Sequence, residues 1–360
     1  MHAPAPLTTR PLRVGLIGYG FASKVFHAPL IQATPGLDLV AVSSRDAAKV
    51  HADLSDVAVM PDAAQLMARS DIDLIVVATP NDSHAPLTIA ALHQGKHVVC
   101  DKPFTLTVAQ AREVIAVADA RQRQLTVFHN RRWDSDFLGV KQAINSGRLG
   151  RITHFESHID RFRPAVRERW REQATPGAGL WFDLGPHLVD QALQLFGLPD
   201  AVTASLATQR TGAVVDDWAH VVMAYGPMRV VLQCSALVAG GAQRFTVHGE
   251  HGSVTKPLAD RQEAQLLAGI RPGDPTWGHD PDPLLLHDGS GQATPLPAPA
   301  GDQREIYMQV AAAMRGEAPN PVPPLQALAV MAVIEAAADS AREGRTVQLD
   351  LTEAERAAWA

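Results

Sequence analysis

Two kinds of α/β organisation follow one another along the chain: a doubly wound parallel sheet over residues 1–130 and an α+β domain with a mainly antiparallel sheet over residues 131–360. Three observations predict them. The segment RVGLIGYGFAS joins a short apolar run to a glycine turn and a helix start. From there to about residue 128, short β-rich runs alternate with helical patterns, as in a sheet covered by helices on both faces. Beyond residue 130, strand-like runs succeed one another across tight turns, the arrangement of antiparallel pairing.

Residues 1–11 are a Pro/Ala/Thr-rich lead-in expected to be loose. The first strand spans 13–17 and runs into Gly18 and Gly20, with Ser23 three residues on. This is a dinucleotide fingerprint with serine in place of the third glycine. Gly18 makes the tight turn, Gly20 lets backbone approach a pyrophosphate, and Ser23 is small enough for close helix packing. Phe21 and Ala22 complete the cradle, and the amides of the new helix face the phosphates. A lone motif of this kind is weak, but a second strand at 37–44 follows within the ~30 residues of a βαβ unit. Further strands fall at 57–60, 74–78, 97–100 and 125–128, with helices at 63–69, 84–94 and 108–121. In the ATPNDSH loop, Thr79, Pro80 and Asn81 are expected over the nicotinamide end, and Ser83 as the N-cap of the next helix. His84 reads equally as a first-turn surface residue or as a cofactor-side contact.

The stretch HVVCDKPF, residues 97–104, is a buried strand that ends in an acid, a lysine and a proline. In an open parallel sheet, ligands bind at this edge. Pro103 restricts the backbone of Lys102, which makes Lys102 the first catalytic candidate, with Asp101 beside it on the cofactor side. Taken alone, the pair does no more than solvate a strand end.

The second domain begins with FHNRRWDSDF and a helix at 136–146 closed by Gly147. Strands follow at 152–159, 201–208, 218–225, 229–236 and 244–248, and residues 257–302 form an irregular excursion with no assigned place. Helices at 303–315 and 325–343 close the chain, the second bounded by Pro324 and Gly344. On the strand at 218–225, Trp218, His220, Val222 and Ala224 share one face, and Ala219, Val221, Met223 and Tyr225 the other. Both faces are substantially apolar, so a second subunit is expected over the one that helices leave open, in a homodimer or homotetramer.

Within GLWFDLGPHLVDQALQLFG, Asp183, His187 and Asp190 are spaced to share one helix face. If Pro186 lies in the first turn, His187 sits near a helix N-terminus, where the dipole disfavours its charged form and Asp183 favours it. A histidine so balanced exchanges a proton with an alcohol. The bland alternative is a capping aspartate before a polar, half-exposed histidine.

Composition is that of an ordinary globular chain, with 46% hydrophobic and 19% charged residues. The net charge of -6 and the absence of a basic run argue against nucleic acid as a partner. MHAPAPLTTRP lacks the pattern of a signal peptide, and no later segment approaches the ~20 apolar residues of a membrane helix, so a cytoplasmic protein is expected. Cys100 and Cys234 are the two cysteines, each in an apolar run, and are expected as buried thiols; no spacing suggests a metal.

Taken together, GLIGYGFASKVFHAPL, ATPNDSH, DKPF, FHNRRWDSDF and WFDLGPHLVDQALQLFG resemble the Gfo/Idh/MocA oxidoreductases, within them the branch that includes NADP-dependent scyllo-inositol dehydrogenases. The resemblance runs from Arg13 to the C-terminal helices. It implies an N-terminal Rossmann domain and a C-terminal domain with a large open sheet that commonly mediates oligomerisation. It also implies a catalytic lysine at Lys102 and an aspartate and histidine at Asp183 and His187. Asp101 departs from the glutamate usual in the family motif, and no detailed role transfers to it.

The favoured reading is a dehydrogenase or reductase of a polyol, inositol or sugar-like hydroxyl compound. A glycosidase using bound nicotinamide for transient redox and a non-catalytic nicotinamide sensor are the alternatives; retention of Lys102, Asp183 and His187 together argues against the sensor. Asn130, Arg131 and Arg163 are candidate substrate contacts, though arginine near a strand end is more often solvated or paired structurally. For the cofactor, the second strand ends in Ser43, Ser44 and Arg45, without the acid that binds a ribose 2′-hydroxyl. Asp38 lies at the opposite end of that strand and Asp46 belongs to the next helix start. A hydroxyl beside a guanidinium suits a 2′-phosphate, so NADP is preferred over NAD, with Ser44 and Arg45 as its ligands.

Overall fold

A computed structural model describes residues 10–359, so the lead-in falls almost wholly outside the described residues. Strands β1 (Leu12–Ile17), β2 (Leu37–Ser43), β3 (Ala58–Met60), β4 (Leu74–Val77), β5 (His97–Cys100) and β6 (Leu125–Val127) form an all-parallel sheet. Its order is β3-β2-β1-β4-β5-β6, so the direction of winding reverses between β1 and β4. The crevice outside the C-terminal ends of these strands is where such sheets bind ligands. Gly18, Ala78 and Asp101 begin the loops there. All four residues of β4 are buried, because helices cover both faces.

The helix after the glycine turn contains a π-turn over Ser23–His27, which the sequence reading did not foresee. Ala28 N–H donates to the Ser23 carbonyl five residues back, and Pro29, one residue on, has no N–H to offer. His27 in this widened turn is wholly buried.

The second sheet holds β7 (Ile152–Asp160), β8 (Ala201–Ala207), β9 (Trp218–Tyr225), β10 (Met228–Ser235), β11 (Phe245–Gly249), β12 (Gly252–Lys256), β13 (Leu284–His287) and β14 (Ala293–Leu296). The order is β14-β13-β12-β11-β7-β10-β9-β8, antiparallel throughout except for the parallel pair β7 and β10. Ala219, Val221 and Met223 are buried on the side covered by the helices Leu180–Phe196 and Pro324–Glu343. Trp218, His220, Val222 and Ala224 lie half-buried on the open side.

Residues 257–302 are less irregular than expected. They supply β13 and β14, which extend the sheet edge, and the short helix Gln262–Leu267. The two strands have four residues each, and β14 carries Pro295, an edge residue because it cannot donate to a ladder. The segment is also tied down by a buried ion pair, Lys256 Nζ to Asp280 at 3.0 Å.

Contrary to the expectation that no segment approaches a membrane helix, Pro324–Glu343 is long and apolar enough by length and composition to cross one. Every residue from Ala327 to Ile334 is buried, so in this fold it is a core helix. It packs against both β8 and the helix Val108–Arg121, so it touches both sheets' layers. Nearby, Asn320 accepts from Thr126 at 2.9 Å and donates to the Leu125 carbonyl at 2.7 Å, fastening the C-terminal part of the chain to β6.

Candidate active site

The glycine turn has the space a dinucleotide needs. Gly18 has φ +89°, and a Cβ there would lie 2.8 Å from the Ala78 carbonyl. At Gly20 an added Cβ would meet nothing within 4 Å, so that side of the turn is open. Ser23 does more than stay small: its buried hydroxyl donates to the Gly18 carbonyl at 2.8 Å and closes the turn. Phe21 is exposed and Ala22 half-buried beside it.

Beyond β2, the Ser44 hydroxyl accepts from Asp46 N–H at 3.1 Å, and Asp46 caps the helix Ala47–His51 through Lys49 N–H. Arg45 is exposed and has no protein partner among the described residues. Asp38 faces Arg13 at 3.8 Å, at the far end of the sheet. An open glycine turn and a free guanidinium beside a hydroxyl fit a phosphorylated dinucleotide.

The Thr79–His84 loop differs in detail from the sequence reading. The Ser83 hydroxyl makes no cap; it lies 2.6 Å from both Thr79 Oγ1 and the Pro80 carbonyl. Asn81 donates to the Gly177 carbonyl at 2.8 Å, leaving its buried Oδ1 without a partner. His84 is neither on the surface nor free to meet a ligand. Its Nδ1 lies 2.7 Å from the Pro103 carbonyl and Nε2 2.9 Å from the Thr79 carbonyl. The ring braces this loop against the Asp101–Phe104 turn.

That turn presents Lys102 to the second domain. Lys102 Nζ donates to the Asp183 backbone carbonyl at 2.7 Å and to Oδ1 at 3.3 Å. Pro186 lies three residues further on in the same helix. The helix begins at Leu180, so the proline is inside it and not in its first turn as expected. Pro186 has no N–H for the Phe182 carbonyl one turn back, and it is the next carbonyl, that of Asp183, that accepts from the lysine. Asp183, His187 and Asp190 do share the face turned to the first domain, but the expected balance at His187 is not found. Asp183 neutralises Lys102 and Arg171, the latter at 3.3 Å, rather than the imidazole. Burial, followed by the charges of Lys102 and Arg131, holds His187 well below the ordinary histidine range. The ring is therefore neutral near pH 7, with a buried Nδ1 that no protein group pairs. Burial also lowers Lys102, offset by Asp183 and Asp101. Asp183 is pushed up by burial but held well down overall by Lys102, Arg171 and Arg161.

Asp190 belongs to the fold: Arg132 grips it at 2.6 Å and 2.9 Å through two nitrogens, both side chains buried. Asn130 and Arg131, candidate substrate contacts, are also committed elsewhere, Arg131 in the structural pairing more usual for an arginine near a strand end. Asn130 donates to Gln303 at 3.0 Å, and Arg131 pairs with Asp134 at 3.0 Å and Glu263 at 2.9 Å. The Arg163 guanidinium donates to no protein group among the described residues.

Several groups at the site were missed. His129, on the strand end beside Asn130, is buried with neither ring nitrogen paired, and burial brings it to about 4. Behind Asp101 stands His27, its Nε2 3.7 Å from the carboxylate and its Nδ1 2.6 Å from the Tyr307 hydroxyl. Burial raises Asp101, but His27 and Lys102 overcome it and bring it to about 2. Arg161 and Arg171 were overlooked as well, although DRFRPAVRERWRE repeats arginine at odd positions just before the Asp183 helix.

Residues 12–129 match the profile described as oxidoreductase family, NAD-binding Rossmann fold, and residues 141–349 the profile described as oxidoreductase family, C-terminal alpha/beta domain, the two halves of Gfo/Idh/MocA. The chain is 49% identical to the uncharacterized oxidoreductase YdgJ of Escherichia coli, over 94% of this chain and 99% of that one. It is 35% identical to the scyllo-inositol 2-dehydrogenase (NADP+) IolW of Bacillus subtilis, over 94% and 96%. A crystal structure of a Klebsiella pneumoniae protein superposes with a TM-score of 0.92 at 55% identity, over 98% of both chains.

Proposed function

From the premise that the chain belongs to the Gfo/Idh/MocA oxidoreductases, we propose that it moves hydride between NADP(H) and a secondary alcohol or carbonyl of a polyol, inositol or sugar-like substrate. One observation carries the reading: Lys102, at the ligand edge of the parallel sheet, is held on Asp183 one turn before a neutral His187. Bound nicotinamide supplies the hydride donor or acceptor. Lys102, kept cationic by Asp183, orients the substrate oxygen and stabilises negative charge on it. The His187 imidazole, already deprotonated, takes the hydroxyl proton in oxidation and returns it in reduction. Asp101, backed by His27 and Tyr307, holds the lysine turn through its bond to Lys102 N–H at 2.7 Å.

Arg45 and Ser44 support a preference for NADP(H), and IolW is the NADP-dependent relative. A homodimer or homotetramer paired through the open sheet face, in a cytoplasm that keeps both cysteines reduced, belongs to the same proposal. The test is a screen of inositols, aldoses, ketoses and their acids for net NADPH formation or loss. Net change supports a dehydrogenase, product without net change a redox-assisted hydrolase, and cofactor binding without any product a sensor. In Ser44→Asp, the NADPH:NADH ratio of kcat/KM should fall; a wild type favouring NADH, or an unmoved ratio, overturns the cofactor assignment.

A further inference from the structure

We infer that the substrate carries an anionic group, a carboxylate or a phosphate, held by Arg161 and Arg163 beside the Lys102–Asp183 pair. This rests on the reading of that pair as the reacting site and goes further by naming the substrate class.

The backbone places the two arginines. Past Asp160 the Arg161 N–H still bonds Ser235 at 2.8 Å in the β7 register, and the parallel ladder then gives way to one antiparallel bridge between Phe162 and Leu237, with Val238 N–H donating to Arg161 at 3.0 Å and Arg163 N–H to Ala236 at 2.7 Å. The bond in register carries the strand's alternation to Arg161, and the bridge at Phe162 sets Arg163 on the same side. His154, Glu156, His158 and Asp160 bond to one another along the open face. Phe155 and Ser157 lie buried on the other, and Arg161 and Arg163 share their parity. Phe162 between them is 58% exposed. The two guanidiniums are thus on the side of the sheet that carries the Asp183 helix. The charge of Arg161 bears on Asp183, His187 and Glu263, in keeping with that side of the sheet.

In this arginine run the pairing of charges leaves Arg161 and Arg163 over, together with the exposed Arg167. Arg131 has Asp134 and Glu263, Arg169 has Glu172, and Arg171 has Asp183. The guanidiniums of Arg161 and Arg163 donate to no protein acceptor among the described residues, and Arg161 is mostly buried beside Arg131 and Arg169, which further disfavour its charge. Their guanidinium nitrogens are not among the sealed, unpartnered polar atoms, so the fork is open to a ligand, and a cation crowded by other cations gains most from an anionic one. A planar fork next to a second one matches carboxylate or phosphate oxygens better than a single hydroxyl.

The test is calorimetric titration of the NADP-saturated protein with three forms of one polyol: sorbitol, gluconate and sorbitol 6-phosphate. Saturating cofactor occupies any phosphate site at Arg45. At least one anion should bind roughly 10- to 100-fold more tightly than sorbitol, in line with charge-assisted bonds, and which one separates carboxylate from phosphate. Arg161→Gln should collapse the preference, while Arg161→Lys, which keeps charge without the fork, should retain part of it and serve as the control for folding. Equal binding of all three, no binding of either anion at millimolar concentration, or a preference that survives Arg161→Gln overturns the inference. Turnover is read separately. Arg161-dependent anion binding with no NADPH formed from any compound counts against the dehydrogenase reading alone. Oxidation of sorbitol as efficient as that of the acids overturns the anion inference alone.

Discussion

Asp183→Asn removes a charge from the site without removing the contact that positions its lysine. Lys102 Nζ keeps the Asp183 backbone carbonyl at 2.7 Å, while the carboxylate oxygen at 3.3 Å becomes neutral. At that distance and an effective dielectric near 20, the lost attraction is about 5 kcal/mol before relaxation. With Asp101 still adjacent, the titration of Lys102 should move toward neutrality by roughly one to three pH units, the usual effect of one close opposite charge. The direction is fixed, since burial already disfavours the ammonium and Arg171 and Arg131 add to it. The alkaline limb of kcat/KM should fall to lower pH by the same amount. Acylation of Lys102, followed by mass spectrometry across the same range, reports the neutral amine without needing a substrate. If both profiles coincide in wild type and variant, Asp183 is not what keeps the lysine charged.

His187→Ala should lower kcat by roughly 10²- to 10⁴-fold with NADPH affinity retained, measured by steady-state turnover and fluorescence titration. Asp190→Asn, which strands Arg132 in the interior, should cost about 3 kcal/mol in chemical denaturation. Acid should destabilise the fold through histidines: burial brings His129 and His97 to about 4 from 6.5. Their contribution is intact above pH 6.5 and is lost as pH falls toward 4, because only the unfolded chain takes up the protons. The slope is at most about 1.4 kcal/mol per pH unit for His129, so melting temperature should drop between pH 7 and 5 and His129→Gln should flatten the drop. His158, raised by Asp160 with burial opposing, acts in the opposite sense. Light scattering should exceed the 38.6 kDa monomer mass at micromolar concentration.

What the sequence revealed of the site was what is written locally. The glycine turn, the lysine at a strand end and the Asp183–His187–Asp190 face depend on spacing of a few residues, and each is found on the expected element. Partnerships were not legible, since they join distant stretches: Asp183 turns to Lys102 and Arg171, and Asp190 to Arg132, none of which a helical wheel contains. The helix start was misjudged because a proline usually marks one, whereas here six helical residues precede it. His27 had a faint signal in Pro29, which disrupts regular α-helical bonding just where the π-turn swings the ring inward. Arg161 had a clear one, because extended chain puts every second residue on one side.

The bond between Lys102 and the Asp183 carbonyl spans 81 residues of sequence and joins the parallel sheet to a helix that covers the second sheet, over one continuous apolar core. During refolding, the elements around each sheet can form on their own time course before the shared core closes, and a probe of helix content will register both. Only after the two have met is the lysine in place. Recovery of catalytic rate should therefore lag behind recovery of circular dichroism, and the interval between them times the docking of one half of the chain on the other.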